Sequence, residues 1–453
     1  MNKEPCDLSI VEAAGAISSN QLTSLQLCTS CLDRIEALED KIQAWTLVDR
    51  EGAISAAKSL DLELKQGKSR GPLHGIPFGI KDMFYTRGLR TEAGSPALAG
   101  FIPDYDATSV AKLKKAGAVI LGKTQTTQFA YSDPAPTRNP WNISHTPGGS
   151  SSGSAAGVAA GMCLAALGTQ TLGSVLRPAA FNGIVGLKPH YGRISTYGVM
   201  PLSWTLDHVG ILSRSVEDAA LIFQAVAGYD PLDNHSLEES VPDCLSGLEV
   251  AESPKLSLMR QYFFDKAEGE MCSQTEKVAR LLIDAGAKFR DLVLPSSFSD
   301  IESNGRRIMS VECAAFHQDL FAKSKNQYKK EITGIIETGL NTSATEYAGR
   351  LELRLRQWAE IKPLLNEVDA ILTPGAVGAS PGNLNTTGNP VMQAPWTILG
   401  LPSVSLPAGL NRAGLPLAIQ LVGRPKREKE LLATARWCER VLNVHLRPKL
   451  TIS

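Results

Sequence analysis

The stretch TPGGSSSGSAAGVAAG, residues 146–161, places three consecutive serines among glycines and then continues into small apolar residues. Gly148 and Gly149 permit backbone angles that are closed to other residues. The hydroxyls of residues 150–152 are suited to cap a following helix, and the small side chains of 155–161 let that helix pack closely. Taken alone, the stretch predicts a turn that leads into a tightly packed, serine-capped helix.

Residues 149–153, GSSSG, also satisfy G-x-S-x-G, the nucleophile elbow of α/β-hydrolases. An elbow needs an apolar strand directly before its serine, whereas NPWNISHTPGG at 139–149 is a proline-rich loop. None of the seven histidines lies in a motif diagnostic of a serine triad. They are His74, His145, His190, His208, His235, His317 and His445. The context therefore disfavours an elbow.

Outward from this stretch, helical patterns alternate with short apolar strands. Helical spacing at about 8–16, 22–38 and 51–66 precedes the first buried strand candidate, HGIPFGIKDMF at 74–84. Beyond residue 107, ATSVAKLKKAG is followed by AVILGK, and the same alternation recurs further along the chain. Such alternation predicts an α/β fold with a largely parallel or mixed sheet.

Composition narrows the class of partner. The chain has 46 basic and 46 acidic residues among 453, so no field of one sign recruits nucleic acid or an anionic membrane. The N-terminal residues lack an apolar signal segment, and the apolar run at 155–167 is too short and glycine-rich to span a bilayer. We expect a cytoplasmic protein that acts on a small molecule, as a monomer or homodimer.

Eight cysteines over 453 residues are too sparse for a disulfide framework. Cys28 and Cys31 form a C-x-x-C, but they lie in a segment of helical spacing, and no second Cys or His pair completes a zinc site. We interpret them as ordinary helix packing. No metal or organic cofactor is expected.

Lys81 is the first residue that suggests a way to activate a serine without a histidine. Ile76, Phe78 and Ile80 alternate with other residues, so Lys81 follows at the end of an apolar strand. A buried lysine has a depressed pKa, and its neutral amine can accept a proton. The alternative is a surface lysine whose stem lies along apolar neighbours.

Residues 168–174 read as a loop of small and hydroxyl residues after the apolar run 163–167. Its backbone N–H groups are placed to converge on a developing oxyanion, with Ser174 at its end. The alternative is a plain loop between two buried elements.

Together these segments resemble the amidase signature family of serine hydrolases. The family pattern G-I-P-x-x-x-K-D appears here with Gly75 to Pro77 and Lys81-Asp82, G-G-S-S-[SG]-G at 148–153, and G-T-D-[TI]-G-G-S as GTQTLGS at 168–174. Further similar segments are NPWN at 139–142, GLKP at 186–189, LDHVGILSRSVEDAALIF at 206–223, and GLPSVSLPAG and LPLAIQLVGRP near the C-terminus. The resemblance covers most of the chain.

The resemblance implies a large central mixed β-sheet flanked by helices on both faces. It implies a single amidase domain over 1–453, with N-terminal helices of about 1–67 packing on the core. It also implies a catalytic triad of Ser174 as nucleophile, Ser150 as bridging serine after a cis peptide bond, and Lys81 as base. The N–H groups of Thr171, Leu172, Gly173 and Ser174 would then form the oxyanion hole.

A segment that lines the acyl pocket in the family aligns with 126–136, which makes Phe129, Ala130 and Tyr131 candidate substrate contacts, although an aromatic pair here also suits the core. Trp204 and the glycine- and proline-rich loop at 375–396 are further candidates for a wall of the site.

Three departures from the family pattern concern the same loop. Gln170 stands where the family has an aspartate, Leu172 stands where it has a glycine, and the family's arginine comes one position late, as Arg177. Gln170 replaces a charged group with a neutral amide, and Leu172 requires loop angles that suit a Cβ. These changes bear on substrate identity more than on the reaction class.

Three functions follow from the resemblance. The first is a stand-alone amidohydrolase that cleaves the C–N bond of an amide, aryl amide or carbamate, and also esters, through an acyl-enzyme. The second is the A subunit of a tRNA-dependent amidotransferase, a glutaminase that passes ammonia to a partner; the three departures stand against it. The third is a catalytically dead binding protein, which Leu172 alone suggests.

Overall fold

The computed structural model describes residues 3–248 and 252–450 of the chain. Its strands are β1 (Trp45–Val48), β2 (Pro77–Lys81), β3 (Val119–Thr124), β4 (Ala165–Gln170), β5 (Val185–Lys188), β6 (His208–Ser213), β7 (Lys255–Leu258), β8 (Lys288–Phe289), β9 (Ala370–Pro374), β10 (Ser403–Leu410) and β11 (Pro416–Gly423). They form one eleven-stranded sheet in the order β1-β3-β2-β4-β6-β5-β10-β11-β9-β7-β8.

The α-helices of the described residues are α1 (Ile10–Ser18), α2 (Ser24–Ile42), α3 (Arg50–Lys65), α4 (Thr108–Lys115), α5 (Ser152–Ala159), α6 (Leu176–Asn182), α7 (Val216–Val226), α8 (Gly269–Asp284), α9 (Ile301–Ser324), α10 (Lys330–Leu340), α11 (Ala344–Leu365), α12 (Ala394–Ile398) and α13 (Glu428–Leu442). None of them is long and apolar enough to cross a membrane.

The sheet is mixed, and its central strands are covered on both sides. Strand β2 runs parallel to β3 and β4, whereas β4 and β6 pair antiparallel. Every residue of β2, β3, β4, β5 and β6 is buried. Because successive side chains of a strand point to opposite faces, continuous burial requires cover on both faces. The predicted α/β class with a large mixed sheet is confirmed.

The N-terminal helical patterns are confirmed as α1, α2 and α3. Their buried side chains, among them Ile10, Leu27 and Ala57, belong to the same hydrophobic cluster as the central strands. Cys28 and Cys31 are completely buried on α2, in agreement with packing as their role.

The serine-rich stretch forms a turn followed by α5, as predicted. Gly148 has φ of +78°, a left-handed conformation that favours glycine. A Cβ on Gly153 would lie 2.0 Å from the carbonyl oxygen of Ala44, so the helix approaches its neighbour closely. The prediction of small residues for close packing therefore holds.

The loop predicted at 168–174 is shorter than expected. Gly168 to Gln170 belong to β4, which is held by β2 on one side and β6 on the other. Glycine has a low intrinsic strand preference, and the antiparallel pairing of residues 168–170 with β6 overrides it. The parallel pairing of Ile80 with Leu167 places the carboxyl ends of β2 and β4 side by side, and this is where the candidate site lies.

Candidate active site

Lys81 is the last residue of β2, and its side chain is completely buried. Its Nζ lies 2.7 Å from Ser150 Oγ and 2.7 Å from Thr169 Oγ1. Ser151 Oγ is 3.1 Å away, and the carbonyl oxygen of Thr169 is 3.5 Å away. All four contacts are to neutral groups, so nothing in direct contact compensates a positive charge on the amine.

Burial lowers the pKa of Lys81 well below its usual value of 10.5, and the more distant carboxylate of Asp207 opposes this only in part. Desolvation dominates because the charged form of an amine loses more hydration than the neutral form. A neutral Lys81 has a free lone pair and accepts a proton. This state is the one that a base beside a serine requires.

Ser150 follows a cis peptide bond from Gly149, as the resemblance implies, and it is completely buried. The arrangement brings its hydroxyl to Lys81 rather than into solvent.

The prediction that the serines cap the following helix is wrong. Ser151 occupies the position before α5, yet its side chain caps no backbone N–H of that helix. Its Oγ accepts a hydrogen bond from Thr169 N at 3.3 Å instead, and Ser152 Oγ donates to the carbonyl of Gly148 at 2.7 Å. The hydroxyls are engaged by tertiary partners and by the preceding turn, which compete with capping.

Ser174 lies at the outer end of this group. It is 9% exposed, whereas Lys81 and Ser150 are 0% exposed, and Ser174 lines a small cavity of about 50 Å³. Its carbonyl accepts from Ser151 N at 3.3 Å, which sets its backbone against the serine run. Among the described residues, no hydrogen bond joins the hydroxyls of Ser150 and Ser174. Of the three candidate residues, only Ser174 is open to a ligand.

The backbone N–H groups of Thr171, Leu172, Gly173 and Ser174 have no acceptor within the described part of the chain. Buried N–H groups are nearly always paired, so four consecutive unpaired donors are unusual. All four residues line the same cavity as the Ser174 side chain. This arrangement suits an oxyanion that forms next to Ser174.

The side-chain amide of Gln170 holds the loop of residues 171–174 through hydrogen bonds. Its Oε1 accepts from the backbone N–H groups of Val175 and Leu176 at 2.8 and 2.9 Å, and its Nε2 donates to Thr397 Oγ1 at 2.8 Å. Thr397 Oγ1 lies 2.7 Å from the carbonyl oxygen of Leu172. The amide thus satisfies the start of α6 and links the loop to α12 without placing a charge there.

Leu172 fits the loop as it stands. Its φ lies outside the left-handed region, and its side chain is buried. The requirement for angles compatible with a Cβ is therefore met.

Asp207 was assigned no role from the sequence. Its carboxylate accepts from Thr171 Oγ1 at 2.5 Å and from the backbone N–H groups of Leu202 and Ser203 at 2.8 and 2.9 Å. Burial raises the pKa of Asp207 to about 6, while these hydrogen bonds lower it in part. The carboxylate fixes the first residue of the loop that carries the unpaired N–H groups.

Of the candidate substrate contacts, some line the cavity beside Ser174 and others do not. Phe129 is completely buried and stacks on Tyr328 with ring centroids 5.0 Å apart, so it belongs to the core. Ala130 and Tyr131 line the cavity beside Ser174. Trp204 lines a separate cavity that also contains Thr169. The loop at 375–396 contributes three residues to the wall beside Ser174, namely Thr387, Gly388 and Pro390.

The sequence analysis missed three residues: Ser151 and Thr169, which contact Lys81 Nζ, and Asp207, which binds the hydroxyl of Thr171. Two of them lay in motifs already quoted, GGSSSG and GTQTLGS, and Asp207 lay in LDHVG. Their positions were visible, but the contacts depend on β2, β4 and β6 lying side by side.

The chain is similar to known proteins over most of its length. The amidase family model matches residues 26–432. The A subunit of the glutamyl-tRNA(Gln) amidotransferase of Geobacter metallireducens is 36% identical, and the match covers 97% of this chain and 98% of that protein. The corresponding protein of Carboxydothermus hydrogenoformans is 35% identical, with 98% and 99% covered.

Solved structures share the fold over nearly the whole chain. A protein complex described as vestigial, which bears on the origins of an s-triazine catabolic enzyme, has a TM-score of 0.90 at 27% identity, covering 98% of this chain and 100% of that one. The native peptide amidase of Stenotrophomonas maltophilia has a TM-score of 0.86 at 28% identity, covering 98% of each chain. With the GIP…KD, GGSSSG and GTQTLGS motifs in place, this chain belongs to the amidase signature family of enzymes.

Proposed function

We propose that this enzyme cleaves the C–N bond of a carboxamide through an acyl-enzyme on Ser174. The observation that carries the proposal is the 2.7 Å contact between the fully buried Lys81 Nζ and Ser150 Oγ, on a serine turn whose next residue, Ser151, donates its N–H to the carbonyl of Ser174. A base that works without histidine needs a neutral amine in contact with a hydroxyl.

In the proposed reaction, neutral Lys81 takes a proton from Ser150 as Ser150 takes the proton of Ser174. Ser174 Oγ attacks the carbonyl carbon, and the N–H groups of residues 171–174 bind the oxyanion. Ser150 then protonates the nitrogen and takes back the proton held by Lys81, the C–N bond breaks, and the amine or ammonia leaves. Water, deprotonated by the same relay, attacks the ester carbon, so the net change is amide plus water to carboxylic acid plus amine. Carbamates and esters are open to the same steps.

The proposal is tested without knowledge of the substrate by labelling with a fluorophosphonate and mapping the adduct by peptide mass spectrometry. We expect one adduct, on Ser174. Lys81, whose pKa is lowered, is the base proposed to activate this hydroxyl, and the unpaired N–H groups of residues 171–174 are donors for an oxygen of the adduct. Ser152→Ala is the matched control, since its hydroxyl bonds to Gly148 and not to Lys81. Labelling of a different residue, or equal labelling in Lys81→Met, would contradict the proposal.

A second candidate is the A subunit of an amidotransferase that passes ammonia to a partner. The identity of 36% and 35% to subunits of that name, over 97–98% of this chain, favours assembly with partners over a stand-alone hydrolase. Gln170 weighs less against it than expected, because this amide replaces a charge with three hydrogen bonds that engage both its oxygen and its nitrogen.

Purification of the chain from its native cells separates the two candidates. An amidotransferase subunit is expected to copurify with partner chains in a fixed ratio and to release ammonia from glutamine faster in that complex. A stand-alone hydrolase is expected to elute alone with full activity. The chemistry at Ser174 is common to both.

A further inference from the structure

Arg177 is a buried cation without a carboxylate partner, and it lines the same cavity as Ser174. Its side chain lies on the first turn of α6 and is 5% exposed. Nη2 donates to the carbonyl oxygen of Gly149 at 2.7 Å and to Thr387 Oγ1 at 3.2 Å. Nε is buried and has no hydrogen-bond partner, and among the described residues no Asp or Glu forms an ion pair with this guanidinium.

A buried charge is costly unless it is paired, and a guanidinium offers its donors in a fork that matches a carboxylate. The two contacts that Arg177 makes are to neutral oxygens and use one nitrogen only. The remaining donors therefore have no anion within the described chain to compensate them. A ligand carboxylate supplies the missing partner.

Arg306, on α9, lines the same cavity, but unlike Arg177 it is ion-paired. Its Nε and Nη2 are bound to Glu302 at 2.9 and 2.7 Å. Burial together with repulsion by Arg306 lowers the pKa of Arg177 to about 9, which leaves Arg177 protonated at neutral pH. The described residues that line this cavity include no Asp and no Glu.

We propose that the acyl group cleaved at Ser174 is a short monoanion: the monoamide of a small dicarboxylic acid, whose free carboxylate is held by Arg177 with Arg306 nearby. The proposal rests on the amide-cleaving function above and specifies its substrate. Ser174 and Arg177 line the same cavity and are three residues apart in the chain, so the acyl group that joins the cleaved amide to the bound carboxylate is short. An ammonium group on that chain, as in free glutamine, meets the unpaired cation of Arg177 and no Asp or Glu among the described residues that line the cavity.

The carboxylate site is tested first by binding alone. Malonate, succinate and glutarate are titrated by calorimetry into the wild type, Arg177→Met and Arg306→Gln, with malonamide as the neutral control. We expect one dianion to bind best, Arg177→Met to weaken it by about 30-fold or more, and Arg306→Gln to weaken it by about three- to tenfold. Arg306→Gln leaves the contact to Gly149 intact, which separates lost binding from a disturbed serine turn. Equal binding of malonamide, or unchanged binding in Arg177→Met, would overturn the proposal.

The second test compares two substrates that differ only in an amino group, glutaramate and glutamine, together with succinamate and butyramide. We expect kcat/KM to be at least about tenfold higher for glutaramate than for glutamine and for succinamate than for butyramide. A preference for glutamine overturns the monoanion assignment while amide cleavage at Ser174 stands. Failure of the fluorophosphonate to reach Ser174 in a protein that binds the dianions overturns the proposed function and leaves the carboxylate site.

Discussion

Replacing Ser174 with alanine is expected to lower kcat for amide hydrolysis by about 10⁴-fold or more, because the variant has no atom to carry the acyl group. The remaining rate would come from binding and from the N–H groups of residues 171–174. The measurement is ammonia or amine release at saturating substrate, with the best amide of a panel that also contains aryl amides, carbamates and esters.

The fold of Ser174→Ala is expected to be unchanged. The hydroxyl of Ser174 makes no hydrogen bond within the described chain and its side chain faces a cavity, so its removal breaks no contact. The matched variant is Ser152→Ala, which loses a buried hydrogen bond to Gly148 and is expected to keep its activity within about tenfold while losing about 1 kcal/mol of stability. If Ser174→Ala kept more than about one hundredth of the wild-type kcat, the nucleophile would be another residue.

Local sequence patterns were enough to predict β2 and its terminal lysine. The alternation of Ile76, Phe78 and Ile80 gives a strand, and in the fold these side chains are fully buried. The same reasoning missed the end of β4, because Gly168 and Thr169 look like a loop until β6 pairs with them. Strand preference is decided by neighbours, which a single segment does not contain.

In the candidate site, too, local motifs identified some residues, whereas the contacts between them depend on the fold. Lys81, Ser150 and Ser174 were identified from motifs, and the fold places Lys81 and Ser150 in contact. The contacts that set the chemistry of the lysine come from Ser151 and Thr169, and they exist only because two strands distant in sequence run side by side. Phe129 shows the converse, since an aromatic in an aligned segment became core once Tyr328 packed against it.

Arg177 illustrates how a shift of one position is absorbed. It lies on the first turn of α6, one position later in the sequence than the family's arginine, and its guanidinium reaches the carbonyl of Gly149, which precedes the cis bond to Ser150. A sequence comparison records only a displaced arginine. In the fold, the side chain of Arg177 both binds the carbonyl of Gly149 in the serine turn and lines the cavity beside Ser174.

Lys81→Met is expected to abolish activity and, at the same time, to remove a cost to stability. Without the amine, Ser150 has no base, and general-base catalysis of this kind contributes about 10²–10⁴-fold, so kcat falls at least that far. Methionine keeps an unbranched apolar chain in a fully buried position and removes the group whose hydration is lost on folding.

The sign of the pH dependence of the free energy of unfolding shows whether Lys81 is neutral in the folded chain. The pKa of Lys81 is well below 10.5 in the folded chain and near 10.5 in the unfolded chain, so between these values the unfolded state binds one more proton. The free energy of unfolding of the wild type therefore rises with pH in that interval, by up to about 1.4 kcal/mol per pH unit from this group. The variant lacks this contribution.

Urea unfolding of both proteins at pH 7, 8 and 9 measures the difference. We expect Lys81→Met to be at least as stable as the wild type at pH 7 and its advantage to shrink as the pH rises. Lys58→Met, at an exposed position on α3, serves as the control and is expected to leave the pH slope unchanged. A gap between Lys81→Met and the wild type that stays constant with pH would mean that Lys81 is folded in its charged form, and a charged amine has no lone pair with which to accept the proton of Ser150.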